Sequence, residues 1–258
     1  MNYALITGAS KGIGKSIAIE LAKRKYPVLL VARSENELEL TAREIHEAYG
    51  VATDYLACDL SKENAAIEIF NWCAEKKYRV QVLVNNAGYG YAGKFENYNL
   101  EAYNEMMQVN MNALIGLCHV FIPTLKSFDE SYILNIASSA AYQATPGLAV
   151  YSASKAFVLS FSRALHRELA HTNLSVSCVC PGGTDTNFAS RAQVGNKALK
   201  LAARVNMTPA AVAKIAVHKM FKKQPEIITG TINKLGAFFA WLLPKKLVEK
   251  SAASIYEV

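Results

Sequence analysis

Short, nearly continuous apolar runs recur along this chain, and the stretches between them carry a helical period. Val28-Leu29-Leu30-Val31-Ala32 and Val80-Gln81-Val82-Leu83-Val84 are the clearest runs. Strands buried on both faces have this character. The pattern predicts strands near 2–7, 27–32, 51–57, 80–84, 131–137, 174–180 and 225–228. It predicts helices near 12–25, 35–49, 61–77, 100–128, 151–171 and 209–222 between them. Repeated β-α-β implies parallel strands joined by right-handed crossovers, with helices on both faces. The expected fold is therefore α/β, a doubly wound parallel sheet of about seven strands. No internal repeat, low-complexity tract or linker divides it, so 1–258 reads as a single domain.

The first turn is Thr7-Gly8-Ala9-Ser10-Lys11-Gly12-Ile13-Gly14. Glycines there let the backbone approach a phosphate at a helix N-terminus, where free N–H groups and the helix dipole favour an anion. The spacing is Gly-x3-Gly-x-Gly, not the G-x-G-x-x-G of many dinucleotide folds. Two rival readings use the same residues. Gly8 to Gly12 is formally G-x-S-x-G, but a nucleophile elbow needs earlier strands and an oxyanion loop that seven residues cannot supply. Ala9 to Ser16 ends in Gly14-Lys15-Ser16, near a P-loop with Ala at its first position. Asp59, after Tyr55-Leu56-Ala57-Cys58, would pass for its magnesium-binding strand end. The later motifs weigh against an NTPase and leave Lys15 and Ser16 as first-turn residues facing outward.

Those motifs begin with Tyr151-Ser152-Ala153-Ser154-Lys155. Residues four apart share one helix face, about one turn apart. A free phenol titrates near ~10, and a nearby ammonium favours its ionised form. A tuned phenol gives a proton to a carbonyl oxygen or takes one from an alcohol. Such a pair arises by chance on many helices, so its weight depends on company. Asn85-Asn86-Ala87-Gly88 follows the fourth strand, Ser138 follows the fifth, and Pro181-Gly182 follows the sixth. Ser138 lies thirteen residues before Tyr151. All fall at C-terminal strand ends, where open α/β sheets bind ligands.

Together with Asn110, these stretches resemble the short-chain dehydrogenase/reductases, over roughly residues 1–190. The resemblance implies a Rossmann-like fold, a nicotinamide cofactor and hydride transfer to or from a carbonyl or alcohol. It implies Tyr151 as general acid or base and Lys155 as the residue that tunes it and holds the nicotinamide ribose. It implies Ser138 as donor to the substrate oxygen and Asn110 as holder of a water that links Lys155 to solvent. Cofactor contacts would come from Gly8, Ser10, Lys11, Gly12, Ile13 and Gly14 at the first turn. Arg33, Asp59 and Leu60 would serve the adenosine end, with Asp59 at the adenine ring. Asn86, Ala87 and Gly88 would follow, then Pro181, Gly182, Thr184 and Thr186 near the nicotinamide and phosphates. Thr184 departs from the apolar residue common at that place. Residues 184–207 are expected to form a mobile lid, with Phe188, Ala192, Leu199, Ala202 and Val205 on one apolar face or, alternatively, packed on the core.

The cofactor is expected to be NADP(H). An NAD site usually sets an acid about 20 residues beyond the glycines. Here the second strand ends Val31-Ala32-Arg33-Ser34, with no acid before Glu35. Arg33 can fork onto a 2′-phosphate, Lys11 adds charge, and Ser10 and Ser34 add donors.

Composition bounds the rest. Five scattered cysteines without CxxC suggest a reducing, cytoplasmic setting. The histidines lack metal-ligand spacing, so no metal is expected, and His166 and His171 read as surface residues. No apolar run of 18 residues predicts a membrane span, and Met1-Asn2-Tyr3 reads as the start of a strand, not of a signal peptide. The net charge of +7 is uneven: residues 191–258 hold 12 Lys+Arg against 3 Asp+Glu. That is not an even nucleic-acid-binding surface. Helices 100–128 and 151–171 carry Leu114, Leu117, Val120, Phe121, Phe157, Phe161, Ala164, Leu165 and Leu169, and a homodimer or homotetramer through them is expected. Tyr89, Tyr91, Phe95 and Tyr142 suggest an aromatic pocket for a lipophilic ketone or ketoacyl substrate, the alternative being that they lie on the surface. Residues 231–258 form an apolar and basic extension. Its Phe238, Phe239, Trp241 and Leu242 are expected to close over the pocket or meet another subunit; a peripheral membrane contact is the alternative. A nucleotide-binding sensor or scaffold without turnover is the competing function, since fold does not fix activity.

Overall fold

The computed structural model describes residues 1–185, 192, 195 and 206–256. Its strands are β1 (Asn2–Thr7), β2 (Val28–Ala32), β3 (Thr53–Ala57), β4 (Arg79–Asn85), β5 (Ser131–Ile136), β6 (Leu174–Cys180) and β7 (Glu226–Ile228). They form one parallel sheet in the order β3-β2-β1-β4-β5-β6-β7. The order reverses between β1 and β4, and a doubly wound sheet opens its ligand crevice at that switch point.

Alternate side chains serve two apolar layers. Leu5, Leu29, Val31 and Leu83 face one, and Ala4, Ile6, Val28, Leu30, Val82 and Val84 face the other. Val80 shares a face with Leu83, which strict alternation forbids. The β1–β4 register shifts between Tyr3 and Ala4, from Val80 to Val82. Gln81 is the extra residue of a bulge, and its Nε2 donates to the Glu130 carbonyl at 2.7 Å.

Helices α1 (Gly12–Lys23) and α2 (Glu35–Tyr49) cover the second layer, inserting Ile17, Leu21, Leu38 and Ile45. Helix α3 (Ala65–Glu75) covers the first layer through Ile69 and Cys73. The expected helix at 100–128 is divided. Helix α4 (Leu100–Met107), capped by Asn99, passes through a π-helical turn at Gln108–Asn112 into α5 (Ala113–Leu125). Together, Leu100–Leu125 is long and apolar enough to cross a membrane by length and composition alone. Here it is a core helix, with Leu114, Leu117, Phe121 and Leu125 buried on the sheet. Helix α6 (Ala149–Glu168) lies on the same face, and α7 (Pro209–Phe221) lies on the opposite one. Thr208 caps α7 with Pro209 in its first turn. Helices α8 (Thr231–Leu242) and α9 (Lys245–Tyr256) follow β7, parted at Pro244.

Some expectations change. Of the side chains assigned to a subunit contact, Leu114, Leu117, Phe121, Leu165 and Leu169 are already consumed by the core, and Val120, Phe157 and Phe161 are half-buried against it. His166 is half-buried, its ring nitrogen 2.8 Å from the Val176 carbonyl, while His171 is exposed. Phe238, Phe239, Trp241 and Leu242 are all exposed on the single chain. Most of the expected lid lies outside the described residues. Ala192 is buried, and its carbonyl accepts from the Ala92 amide at 2.8 Å.

Candidate active site

Strand β1 delivers the chain to Gly8 at φ +63, a left-handed turn that favours glycine. A Cβ on Gly8 would lie 2.8 Å from Asn86 Nδ2, and one on Gly14 would lie 2.2 Å from the Gly8 carbonyl oxygen. The turn is thus bare backbone, closely packed, leading into the N-terminus of α1. No side chain caps that helix end, so its first N–H groups are aimed at the crevice without a competing acceptor on Lys11.

The turn is stitched to the end of β4. Thr7 Oγ1 accepts from the amides of Asn86 (3.0 Å) and Ala87 (3.1 Å) while donating to the Val84 carbonyl at 3.3 Å. Asn86 Nδ2 returns two bonds, to the carbonyls of Thr7 (2.9 Å) and Gly8 (3.1 Å). These bonds close the switch point and hold both loops at one height. Beneath them a buried polar chain runs across the sheet: Asn85 Nδ2 donates to Asn135 Oδ1 at 2.9 Å, and Asn135 Nδ2 donates to Ser162 Oγ at 2.9 Å.

Helix α6 brings Tyr151 and Lys155 to this floor. Lys155 Nζ is 5.9 Å from the centre of the Tyr151 ring and donates to the Ile136 carbonyl at 2.9 Å. Lys155 is 4% exposed. Burial pulls its ammonium down from the usual lysine value to about 8. Asn110 sits in the π-helical turn and is 1% exposed. Its Oδ1 accepts from the Tyr89 amide (3.0 Å), and its Nδ2 donates to the Tyr89 carbonyl (2.9 Å) and to Ser154 Oγ (3.0 Å). Gly88 fits between these groups: a Cβ there would lie 3.0 Å from Asn110 Oδ1 and 3.1 Å from Lys155 Nζ. π-Helical turns inside α-helices are frequent at functional sites.

Ser138 lies two residues beyond β5 and accepts from the Ala140 amide at 3.1 Å, so its own O–H is not spent in that bond. The 3-10 turn it caps, Ser139–Tyr142, packs on α6, with Ala140 against the cluster that contains Tyr151. The Ser139 amide donates to the Pro181 carbonyl at 2.7 Å, joining the β5 and β6 ends.

A proton-carrying phenol beside a buried ammonium, under a glycine cradle at a doubly wound switch point, fits the family suggested by the sequence. A family model described as short chain dehydrogenase matches residues 2–197. The chain belongs to the short chain dehydrogenase family. It is 35% identical over 197 residues to hydroxysteroid dehydrogenase-like protein 1 of Gallus gallus, covering 76% of this chain and 59% of that one. It is 36% identical over 185 residues to a very-long-chain 3-oxoacyl-CoA reductase of Anas platyrhynchos, covering 69% and 58%. The match therefore spans less than two thirds of either relative's length. A human relative, 35% identical over 183 residues and covered to 54%, bears the name inactive hydroxysteroid dehydrogenase-like protein 1; the match takes in 69% of this chain. Among solved structures, a 7β-hydroxysteroid dehydrogenase superposes with a TM-score of 0.87 at 25% identity, covering 98% of this chain and 96% of the other. A short-chain dehydrogenase from Sphingobium yanoikuyae in complex with NADPH gives 0.82 at 27%, covering 94% of each.

Within this family frame, the outer end of the crevice holds Arg33, exposed just after β2, and Asp59, half-buried after β3. Burial raises Asp59, but the Ser61 amide and hydroxyl and then the Arg33 guanidinium outweigh it and hold the carboxyl below its usual range. Lys11 is paired with Glu37 of α2 at 3.3 Å, an exposed contact of little strength. Leu60 turns its side chain into the core and has only its backbone to offer. Thr184 Oγ1 donates to the Gly182 carbonyl at 3.1 Å, and Thr186 lies outside the described residues.

Three of the aromatics expected near the pocket gather together. Tyr89, Tyr91 and Phe95 join Tyr98 and Tyr103 in a run of ring contacts. Beside them lies a cleft of about 220 Å³ lined by Tyr91, Phe95, Tyr103, Gly147 and Val150 among others. Tyr142 does not join. Its hydroxyl donates to Glu226 Oε1 at 2.7 Å, tying the turn after β5 to β7. Sequence reasoning assigned no role to Thr7, Ser154 or Asn233. Thr7 and Ser154 stood inside quoted motifs, and their spacing to Asn86 and Asn110 is visible only in space. Asn233 of α8 lies against Gly182, where a Cβ would come within 2.2 Å of its side chain.

Proposed function

We propose that this protein is an NADP(H)-dependent oxidoreductase acting on a lipophilic carbonyl or alcohol, of ketone or ketoacyl type. The observation that carries the reading is the buried Lys155 beside Tyr151, with Gly88 and Asn110 packed around it. The residues present fit a nicotinamide dinucleotide. The bare turn at Gly8 and Gly14 would take the pyrophosphate, Asp59 the adenine, and Lys155 the ribose hydroxyls, with Arg33 beside the 2′-phosphate. The nicotinamide supplies the hydride when bound.

The chain's own residues manage the proton. An ammonium has three donors, and Ile136 uses one of those on Lys155. The others are available to ribose and to electrostatic support of the Tyr151 oxygen. Tyr151 gives its proton to the substrate oxygen in reduction and takes it back in oxidation. Ser138 donates its hydroxyl hydrogen to the same oxygen, stabilising charge as it develops. The Asn110 side chain is committed to Tyr89 and Ser154, so the relay water is assigned to its backbone carbonyl in the π-helical turn. The aromatic group at Tyr89 and Tyr91 supports an apolar substrate, in keeping with the steroid and fatty-acyl names among the relatives.

A panel of ketones and β-ketoacyl thioesters, followed by loss of NADPH absorbance, tests this reading. Turnover with NADPH in preference to NADH is expected. Cofactor binding with no turnover on any substrate would favour the sensor or scaffold reading, and the name of the human relative makes that comparison worth running. Tyr151 and Lys155 together argue for turnover.

A further inference from the structure

We propose that α8 docks this protein on an anionic phospholipid surface, with its apolar face in the bilayer interface and the neighbouring lysines over the headgroups. The helix is built the wrong way round for packing. Asn233, Ala237 and Ala240, spaced i, i+4 and i+7, turn toward the protein, and of the twelve residues only Ala240 is buried. The large side chains turn out. Ile232, Leu235, Phe238, Phe239, Trp241 and Leu242 are 48–75% exposed, with Trp241 the highest. Leu243 and Leu247 extend the patch. Phe238 contacts Phe239 at 5.7 Å and Trp241 at 6.2 Å between ring centres, so the aromatics form one surface cluster. Folding of the single chain gains little from this arrangement, and exposed apolar patches of this kind mark interaction surfaces.

Charge selects the occupant. Lys234, Lys245, Lys246 and Lys250 are exposed around the patch, within a final quarter that holds 12 Lys+Arg against 3 Asp+Glu. Anionic lipid complements that excess. A second copy carries the same excess of positive charge and so offers no net complement to it. Geometry selects the mode. Twelve residues of helix rise about 18 Å, against a hydrocarbon core of roughly 30 Å. Pro244 prevents a straight continuation into α9. The helix therefore lies in the interface plane, with Trp241 at headgroup depth. This docking stands whether or not the chain reduces a carbonyl.

Flotation of the full chain with phosphatidylcholine vesicles, with and without phosphatidylglycerol, tests the proposal. At low salt the protein should float with phosphatidylglycerol vesicles at least about 10-fold more than with phosphatidylcholine alone, and added salt should reduce that preference. Phe238→Ser with Trp241→Ser should abolish flotation, while Lys246→Glu with Lys250→Glu should remove the lipid preference. Should the apolar double variant fail to fold, emission in a Trp72→Phe background reports on Trp241 alone, and a blue shift on adding phosphatidylglycerol vesicles is expected. No flotation at low salt overturns the proposal, as does flotation that ignores the apolar variant. A dimer in light scattering that this variant splits, without flotation, overturns it in favour of a second copy.

Discussion

The crevice at the strand ends and the helix pair at the C-terminus handle side chains in opposite ways. Around the crevice, polar groups are buried and most are given partners: Asn110 makes three hydrogen bonds while 1% exposed, although Asn85 Oδ1 is buried with none among the described residues. Along α8, apolar groups are exposed while small ones face inward. Burying a polar group is costly unless its bonds are replaced, and burying a charge costs more, so the buried ammonium of Lys155 is where the crevice gives up stability for fixed geometry. Leaving Phe and Trp in water forgoes stability that packing would give. Both regions depart from what a fold alone would choose, and each departure points to a ligand of matching chemistry.

The sharpest break in the comparison is Tyr151→Phe. It keeps the ring in its cluster and removes the transferable proton. Turnover should fall ~10²–10⁴-fold, the usual range for acid–base catalysis, with NADPH binding kept. Near-normal activity would remove Tyr151 from the chemistry. Phe121→Ala, in the core beneath the crevice, comes next. Phe121 is 1% exposed and meets Phe70 edge-on at 5.3 Å. Denaturant unfolding should show a loss of about 3–5 kcal/mol.

Lys155 tests the cost of the polar site itself. Its ammonium is drawn down from 10.5 to about 8 by burial. Below about 8 both folded and unfolded chains hold this proton, and the folded state carries the full burden of the buried charge. Between about 8 and 10.5 the unfolded chain keeps a proton that the folded chain has released, so stability from this group rises with pH. The rise amounts to up to about 3 kcal/mol. Lys155→Met should lose turnover and lack this rise. The measurement is the wild-type minus variant unfolding free energy at pH 7.5 and 10.5, without added cofactor. Parallel pH curves would mean the charge is not costly where it sits.

Arg33→Ala probes the exposed rim of the same crevice. A charge-assisted bond is worth about 1.5–3 kcal/mol, so NADPH affinity should fall roughly 10–100-fold while NADH affinity changes little. Equal losses for both would sink the 2′-phosphate assignment. Lys11 must leave Glu37 to help, so Glu37→Gln should leave NADPH binding unchanged or slightly tighter.

Much of the fold was readable because the central strands are buried on both faces and leave unbroken apolar runs such as Val28 to Ala32. The glycine turn, Asn86, Ser138 and the Tyr151–Lys155 pair were readable because each is tied to a strand end or a helical spacing. What stayed hidden depends on space. The π-helical turn at Asn110 has the same composition as the helices it joins. The bulge at Gln81 shows in sequence only as one polar residue in an apolar run. Tyr142 was placed with the other tyrosines by proximity to Ser138, but its hydroxyl is drawn to Glu226. The outward face of α8 was least readable, since a period of 3.6 locates an apolar stripe without saying which side meets the protein.

The smallest expected effect closes the comparison. Phe238→Ala removes the same atoms as Phe121→Ala, from a side chain 51% exposed instead of 1%. Substitutions on open surface usually change stability within about 0.5 kcal/mol. Phe238→Ala and Trp241→Ala should each fall in that range by denaturant unfolding in vesicle-free buffer at low micromolar concentration. Raising the protein concentration then sharpens the result. If α8 meets only solvent there, the small difference should hold at every concentration. If a second copy covers it, wild-type stability should rise with concentration and the variants should not follow, because association stabilises by mass action. A loss near that of Phe121→Ala at low concentration would show that Phe238 packs into its own chain, and the contrast between the two regions would fail.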